Sequence, residues 1–329
     1  MMTRVDVFED IFLVFLGLGT LVGIIVITYT LYNAYKYRDT GDAKADEDLP
    51  TLGELPTGGT GGKKLFLSFF LSAIIVISLV LWTYGMLLYV EEGPDGNPGD
   101  DALEVDVEGF AFGWNFYYED GVESSGEMVV PAGETVWIET SATDVWHAFG
   151  VSELRVKADA IPGETDETWF VAEEEGEYLI ECFELCGAGH SGMEGTLNVT
   201  SEAEYEQWHE DQRTLTLTFT DAFDEDDEYV GDLEAFEGTL EHADEDDPVE
   251  TFSDADVEEG VFQLTVEQGD TYEVVIESPD GDFETVELEV DIVDGPEEDV
   301  VFEDPDDDEE NDEDDEDDNE DETDDGGDD

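Results

Sequence analysis

Both cysteines of the chain, Cys182 and Cys186, fall inside the stretch ECFELCGAGHSGM, residues 181–193, with His190 and Met193 beside them. Thiol, imidazole and thioether are soft donors that select copper and other late transition metals, whereas Mg²⁺ and Ca²⁺ take oxygen. A chain with 2 cysteines, 4 histidines and 5 methionines has concentrated them here. Three arrangements compete. Donors at i, i+4, i+8 and i+11 could share one helical face. Gly187, Gly189, Gly192 and Gly195 interrupt that pattern, each costing about 1 kcal/mol against Ala in a helix. The stretch therefore reads as a strand end followed by a tight loop. A Cys182–Cys186 disulfide is the usual state of two cysteines outside the cytoplasm. It would close only a few residues, constrain little chain entropy, and leave His190 and Met193 without a role. A soft-metal site uses all four donors. A mononuclear blue-copper centre needs one cysteine between two histidines; the second thiolate suggests two sulfurs bridging two copper ions. Such a rigid pair shares one electron, passes it on and binds no substrate.

The loop holds one imidazole, and a pair of metals needs another. His147, in SATDVWHAFGV, follows the strand-like run TVWIET in an apolar setting. Alone it would be read as a structural histidine; with the cluster downstream it becomes a ligand candidate. His209 and His242 read as solvated surface residues.

Two apolar runs must hold this site at a membrane. Residues 11–32 and 65–90 contain no charged residue, and the shorter run spans about 33 Å as a helix. Asp6, Glu9 and Asp10 precede the first run and no Ala-x-Ala site follows it, so it reads as a retained anchor. Five of the nine cations (Lys36, Arg38, Lys44, Lys63 and Lys64) lie between the runs, which places that loop in the cytoplasm and both chain ends outside.

EEGPDGNPGDD, residues 91–101, reads as a linker. Beyond it come short β-type runs: LEVDVEG, EMVV, TVWIET, TWFVA, EYLIEC and TLNVT. Their Gly and Pro turns point to a sandwich or barrel. Ser201 and Glu204 have capping-box spacing, predicting a short closing helix. A second β region alternates between Thr214 and Val293, with SPDGD as a hairpin turn; it carries no catalytic constellation. From residue 303 to 329, 21 of 27 residues are acidic, predicting a disordered tail.

Lys plus Arg number 9 against 95 Asp plus Glu, a net charge of −86. Nucleic acid is excluded as a partner, since phosphate binding needs cations. With 40% hydrophobic and 11% aromatic residues the chain has cores to bury. The acidity predicts a protein adapted to molar salt, where the Debye length falls to about 3 Å and carboxylates barely repel.

CFELCGAGHSGM resembles the C-x-E-x-C-G-x-x-H-x-x-M loop of the binuclear copper A centre in cytochrome c oxidase subunit II. DVWHAF and KADAIPG (residues 157–163) are similar to that family's segments bearing the first histidine and a nearby Asp–Pro–Gly turn. The resemblance covers roughly residues 8–210, has a haloarchaeal-like composition, and ends before residue 214. It implies a two-helix transmembrane hairpin (residues 1–95, helices about 11–32 and 65–90) and an all-β cupredoxin-like Greek-key domain (100–210). A β-sandwich-like extension (213–302) and the acidic tail would follow.

By that resemblance Cys182 and Cys186 are the bridging thiolates. His147 and Met193 complete one copper; His190 and the backbone carbonyl of Glu184 complete the other. The Glu184 carboxylate would also bind magnesium at the interface with subunit I, and His190 would lie on the electron exit toward heme. GFAFGWNFYYEDG (109–121) matches the family's aromatic patch at Trp114, Phe116 and Tyr118. Its first Trp, where electrons arrive from cytochrome c, is Phe112 here. The implied protein is subunit II of a respiratory oxidase in the cell membrane. It takes electrons from an extracytoplasmic carrier, a blue-copper protein or cytochrome c, and serves oxygen reduction in subunit I. A nitrous-oxide-reductase-like domain is the second reading, and a copper-free quinol-oxidase-type scaffold the third. Four histidines cannot build the histidine-rich catalytic propeller of the former, and the retained donors argue against the latter.

Overall fold

A computed structural model describes residues 2–38, 60–94, 99, 102–220, 233–243 and 248–302. The acidic tail, Lys44 and most of the 91–101 linker lie outside the described residues.

Two apolar helices come first, α1 (Arg4–Lys36) and α2 (Thr60–Glu92). Both are long and apolar enough to cross a bilayer. Leu13, Ile24 and Tyr29 of α1, and Phe69, Ile77 and Leu81 of α2, are exposed. An apolar surface all round is what lipid, rather than water, accommodates. At 33 residues each helix is about 50 Å long, longer than the ~30 Å hydrocarbon layer. Both therefore extend past their uncharged runs into polar ends. At the start of α1 the Asp6 carboxylate accepts from the Thr3 N–H (2.8 Å) and the Thr3 hydroxyl accepts from the Asp6 N–H (3.1 Å). That capping box satisfies donors a helix start otherwise leaves bare.

By its contacts the chain divides into two units: Met1–Phe116 with Ser125–Ser201, and Tyr117–Ser124 with Glu202–Asp329. The β-strands up to Thr200 are β1 (Leu103–Phe110), β2 (Gly113–Tyr118), β3 (Glu123–Ser125), β4 (Glu127–Pro131), β5 (Thr135–Ala142), β6 (His147–Val151), β7 (Val156–Ala160), β8 (Asp166–Val171), β9 (Gly176–Cys182) and β10 (Glu194–Thr200); the end of β2 and most of β3 group with the second unit. They form two five-stranded sheets, in the orders β3-β2-β1-β5-β8 and β4-β10-β9-β6-β7. Two pairings are parallel, β1 with β5 and β4 with β10, whereas β5–β8, β9–β10, β6–β7 and β6–β9 are antiparallel. Side chains alternate inward along β1 and β2, and the two sheets meet where Trp114 of β2 packs edge-on against Phe149 of β6, 5.7 Å between centroids. Trp114, Phe116, Ile138, Phe149, Phe170 and Ile180 are fully buried in this core. The architecture is a helical pair followed by a two-sheet Greek-key-like β-sandwich, with additional C-terminal strands.

Strand β8 also receives both helix ends. The Arg4 guanidinium donates to the Thr168 hydroxyl (2.8 Å) and the Trp169 carbonyl (3.2 Å) and lies over the Trp169 ring. The Trp169 indole N–H donates to the Val90 carbonyl (2.8 Å), and the Tyr89 hydroxyl to the Met2 carbonyl (2.5 Å). Hydrogen bonds from a charged donor contribute about 1.5–3 kcal/mol. Arg4→Ala should therefore accelerate amide hydrogen exchange across residues 166–171 by roughly 10- to 100-fold. Mass-spectrometric exchange on the detergent-solubilised chain checks this, and unchanged protection would show the clamp to be inert.

The second unit contains α3 (Glu202–Gln212) and strands β11 (Thr214–Phe219), β12 (Glu237–His242), β13 (Pro248–Ser253), β14 (Val261–Thr265), β15 (Asp270–Glu277), β16 (Val286–Ile292) and β17 (Glu297–Val300). They make a β14-β11-β17 sheet and a β13-β12-β15-β16 sheet around Leu217, Phe219, Phe236, Leu240, Tyr272 and Ile276. SPDGD lies within the connection of the antiparallel pair β15–β16, where the Ser278 hydroxyl accepts from the Gly281 and Asp282 N–H groups; that connection is longer than a two-residue turn. The predicted closing helix is α3, and it groups with this second unit. His209 corrects the surface reading. Its ring packs on Tyr118 and Tyr205 and pairs with Asp120 at 3.2 Å, only 16% exposed. Burial lowers its proton affinity. His242 likewise stacks on Tyr272, 4.5 Å between centroids.

Candidate metal centre

Strands β9 and β10 are an antiparallel pair whose register sets Glu181 opposite Glu194. The Cys182 N–H donates to the Met193 carbonyl (3.2 Å), closing the intervening loop at its base. Within it, residues His190–Gly192 form a single 3₁₀ turn. The loop thus returns Cys182 and Met193 to adjacent positions and holds Cys186 and His190 above them. Neighbouring β6 pairs with β9 through Phe149 and Cys182, bringing His147, the first residue of β6, to the same end of the sheet.

The donors converge. Cys182 Sγ lies 3.9 Å from Cys186 Sγ, 3.9 Å from His147 Nδ1 and 3.2 Å from the Glu184 carbonyl oxygen. Cys186 Sγ lies 3.6 Å from His190 Nδ1 and 3.7 Å from Met193 Sδ. The two cysteines are free thiols, not a disulfide. His147 and Met193 are buried, Cys186 and His190 half-buried. The structure therefore brings together all six donors that the sequence singled out. Two thiols, two imidazoles, a thioether and a carbonyl suit copper, and the position of each thiol between nitrogen and sulfur neighbours fits a bridging role. The half-buried Glu184 side chain sits in the same loop.

One important residue was not singled out. Asp144 accepts from the His147 Nε2–H at 2.8 Å, leaving Nδ1 to face the thiols. This bond holds the Asp144 carboxyl below the usual carboxylate range. A carboxylate behind a metal-bound imidazole fixes its tautomer and raises its basicity. The same carboxylate accepts from the Val145 N–H (2.6 Å) and the Ala111 N–H (2.9 Å), tying the loop before β2 to the loop before β6. The D-x-x-H spacing was the available signal.

Aromatic rings line two sides. Trp114 is fully buried, 6.2 Å from the His147 ring. Gly109 makes room for both: a Cβ there would sit 3.1 Å from Trp114 and 3.2 Å from His147. Phe112 is 41% exposed, and its ring lies on the ligand loop, where a side chain at Gly189 would collide with it.

A sequence profile for cytochrome c oxidase subunit II, periplasmic domain, matches residues 114–200. Heme-copper oxidase subunit 2 of Aeropyrum pernix is 37% identical over 204 residues, 59% of this chain and 85% of that protein. Cytochrome c oxidase subunit 2 of Alkalihalophilus pseudofirmus is 36% identical over 138 residues, covering 42% and 40%. Among solved structures, the periplasmic domain of cytochrome oxidase subunit II from Bradyrhizobium japonicum is 31% identical and covers 32% of this chain and 89% of that one, with a TM-score of 0.32.

Proposed function

Because the chain belongs to the subunit 2 family of heme–copper oxidases, we propose that it is the electron-accepting subunit of such an oxidase. The carrying observation is the convergence of two thiols with His147, His190, Met193 and the Glu184 carbonyl. Cys182 and Cys186 would hold the copper pair between them, with His147 and Met193 as further donors on one side and His190 and the Glu184 carbonyl on the other. When bound, the copper pair supplies one-electron storage with little reorganisation. The protein's contribution is to hold these donors in place before metal arrives. Asp144 orients His147, the β9–β10 closure fixes Cys182 against Met193, and the Phe112 ring covers the glycine side of the loop.

Electrons arrive from an extracytoplasmic one-electron carrier and leave past His190 toward subunit I, where oxygen is reduced to water. The Glu184 carboxylate would bind magnesium at that interface, an oxygen donor suited to a hard cation. The two helices anchor the chain in the cell membrane, both ends and the copper domain outside. Support for this orientation comes from β8, which binds the beginning of α1 and the end of α2.

Metal analysis of the purified chain tests the assignment. Two coppers per chain with a mixed-valence EPR signal spread over both ions is expected; one copper or none would overturn it. A copper-free scaffold is disfavoured because every donor is present and aimed inward.

Loading should depend on pH. Burial, reinforced by the adjacent Cys182, pushes the Cys186 thiol up to about 11. At neutral pH the metal-free chain therefore holds this proton, and copper must displace it. That group alone should weaken apparent copper affinity by about tenfold for each pH unit lost below 11. Competition with a chelator across a pH series measures the slope.

A further inference from the structure

The proposed function leaves open where the electron crosses into the chain. Trp114 is 0% exposed and touches His147 only from inside the core. Phe112 reaches the surface, but a phenyl ring couples electronically less well than an indole. The tryptophan that does reach solvent is Trp146, 50% exposed, while Trp114, Trp137 and Trp169 are buried and Trp82 and Trp208 half-buried. Trp146 is covalently joined to His147, whose Nδ1 faces the Cys182 thiol at 3.9 Å. Exposed Val145 stands beside it. Asp144 binds the N–H groups of both Ala111 and Val145, so the Phe112 loop and the Trp146 loop are held as one surface.

We infer that Trp146 is the electron-uptake residue of this chain, contacting the carrier's redox edge and passing the electron through the His147 backbone and ring. The inference rests on the function proposed above. In the step, a reduced one-electron carrier protein loses one electron and the copper pair gains it; no bond forms or breaks and no proton moves. The contact is apolar and short-ranged. With 95 acidic residues in a chain suited to molar salt, where the Debye length is about 3 Å, charges steer little. Phe112, Val145 and Trp146 supply the adhesive surface, and the indole supplies the path.

The test uses the full chain in detergent at high salt with a small blue-copper protein as carrier. In the metal-free chain, the oxidised carrier should quench exposed indole emission in the wild type, and Trp146→Phe should abolish that quenching. Persistent quenching in the variant, or none in the wild type, would overturn the inference whatever the chain's copper content. In the copper-loaded chain, reduction by the reduced carrier should slow about tenfold in Trp146→Ala, the order seen when an aromatic contact of about 1.5 kcal/mol is removed. Trp146→Phe should be intermediate, while the absorption spectrum and the reduction rate with dithionite stay unchanged. Equal slowing with dithionite would mean a damaged site and would overturn the assignment. Failure of the wild type to bind a copper pair would instead overturn the proposed function.

Discussion

Replacing Cys182 or Cys186 by serine should abolish the proposed binuclear centre: copper is expected to fall from two per chain to at most one, with loss of the purple colour and shared-electron EPR signal. The thiols stand 3.9 Å apart, each flanked by an imidazole nitrogen. A serine hydroxyl keeps its proton at any working pH and is a hard, weak donor, so one remaining sulfur cannot hold both ions alike. The loss should exceed the roughly 10- to 100-fold that changes behind the ligands cost. Met193→Leu is the internal comparison. Met193 is 1% exposed, and a swap of similar volume costs under about 1.5 kcal/mol of stability. It removes one weak thioether and should lower occupancy and shift the potential while keeping two coppers. Absorption and EPR of the three variants decide the matter; colour and electron transfer retained in either serine variant would refute the bridge.

Dilution should unfold the soluble portion as completely as a denaturant does. Moving from 1 M to 0.01 M salt lengthens the Debye screening distance from about 3 to about 30 Å, and this chain then feels its −86 charge. The second unit is most vulnerable. In its four-stranded sheet Glu241, Glu273 and Glu289 lie directly opposite one another across three strands, and Glu237 faces Glu277. Like charges so placed oppose pairing by about 0.2–1 kcal/mol each, and many such terms exceed a total stability of 5–15 kcal/mol. Near-UV circular dichroism should collapse below a threshold salt concentration and return when salt is restored. Glu273→Gln should lower that threshold. Full stability in dilute buffer would refute the salt adaptation.

The donor loop was legible because its chemistry is local. Soft donors interrupted by glycines leave few alternatives, and the β9–β10 pairing places them as their spacing suggests. Asp144 was hard to pick out, since its D-x-x-H spacing to His147 is a weak signal for one carboxylate among 95 acids. Strands β12 and β13 escaped notice for the same reason. EGTLEH and PVETFS bury only Gly238 and Leu240, and Phe252, respectively, beneath acidic outer faces. Strand β6 is buried at every position, so it shows no alternation. The parallel pairing of β1 with β5 joins segments whose contact no short-range pattern encodes. His209 looked like a surface residue because its partners Tyr118 and Asp120 lie about ninety positions earlier.

Arg4 meets Thr168 across 164 positions of chain. During synthesis the first turn of α1 is therefore made long before its partner strand β8 exists, so this contact can form only after β8 has been made and paired. The clamp thus closes late and reports that the β-fold is complete. A chain stalled or misfolded before β8 would leave the Arg4 end of α1 without these hydrogen bonds.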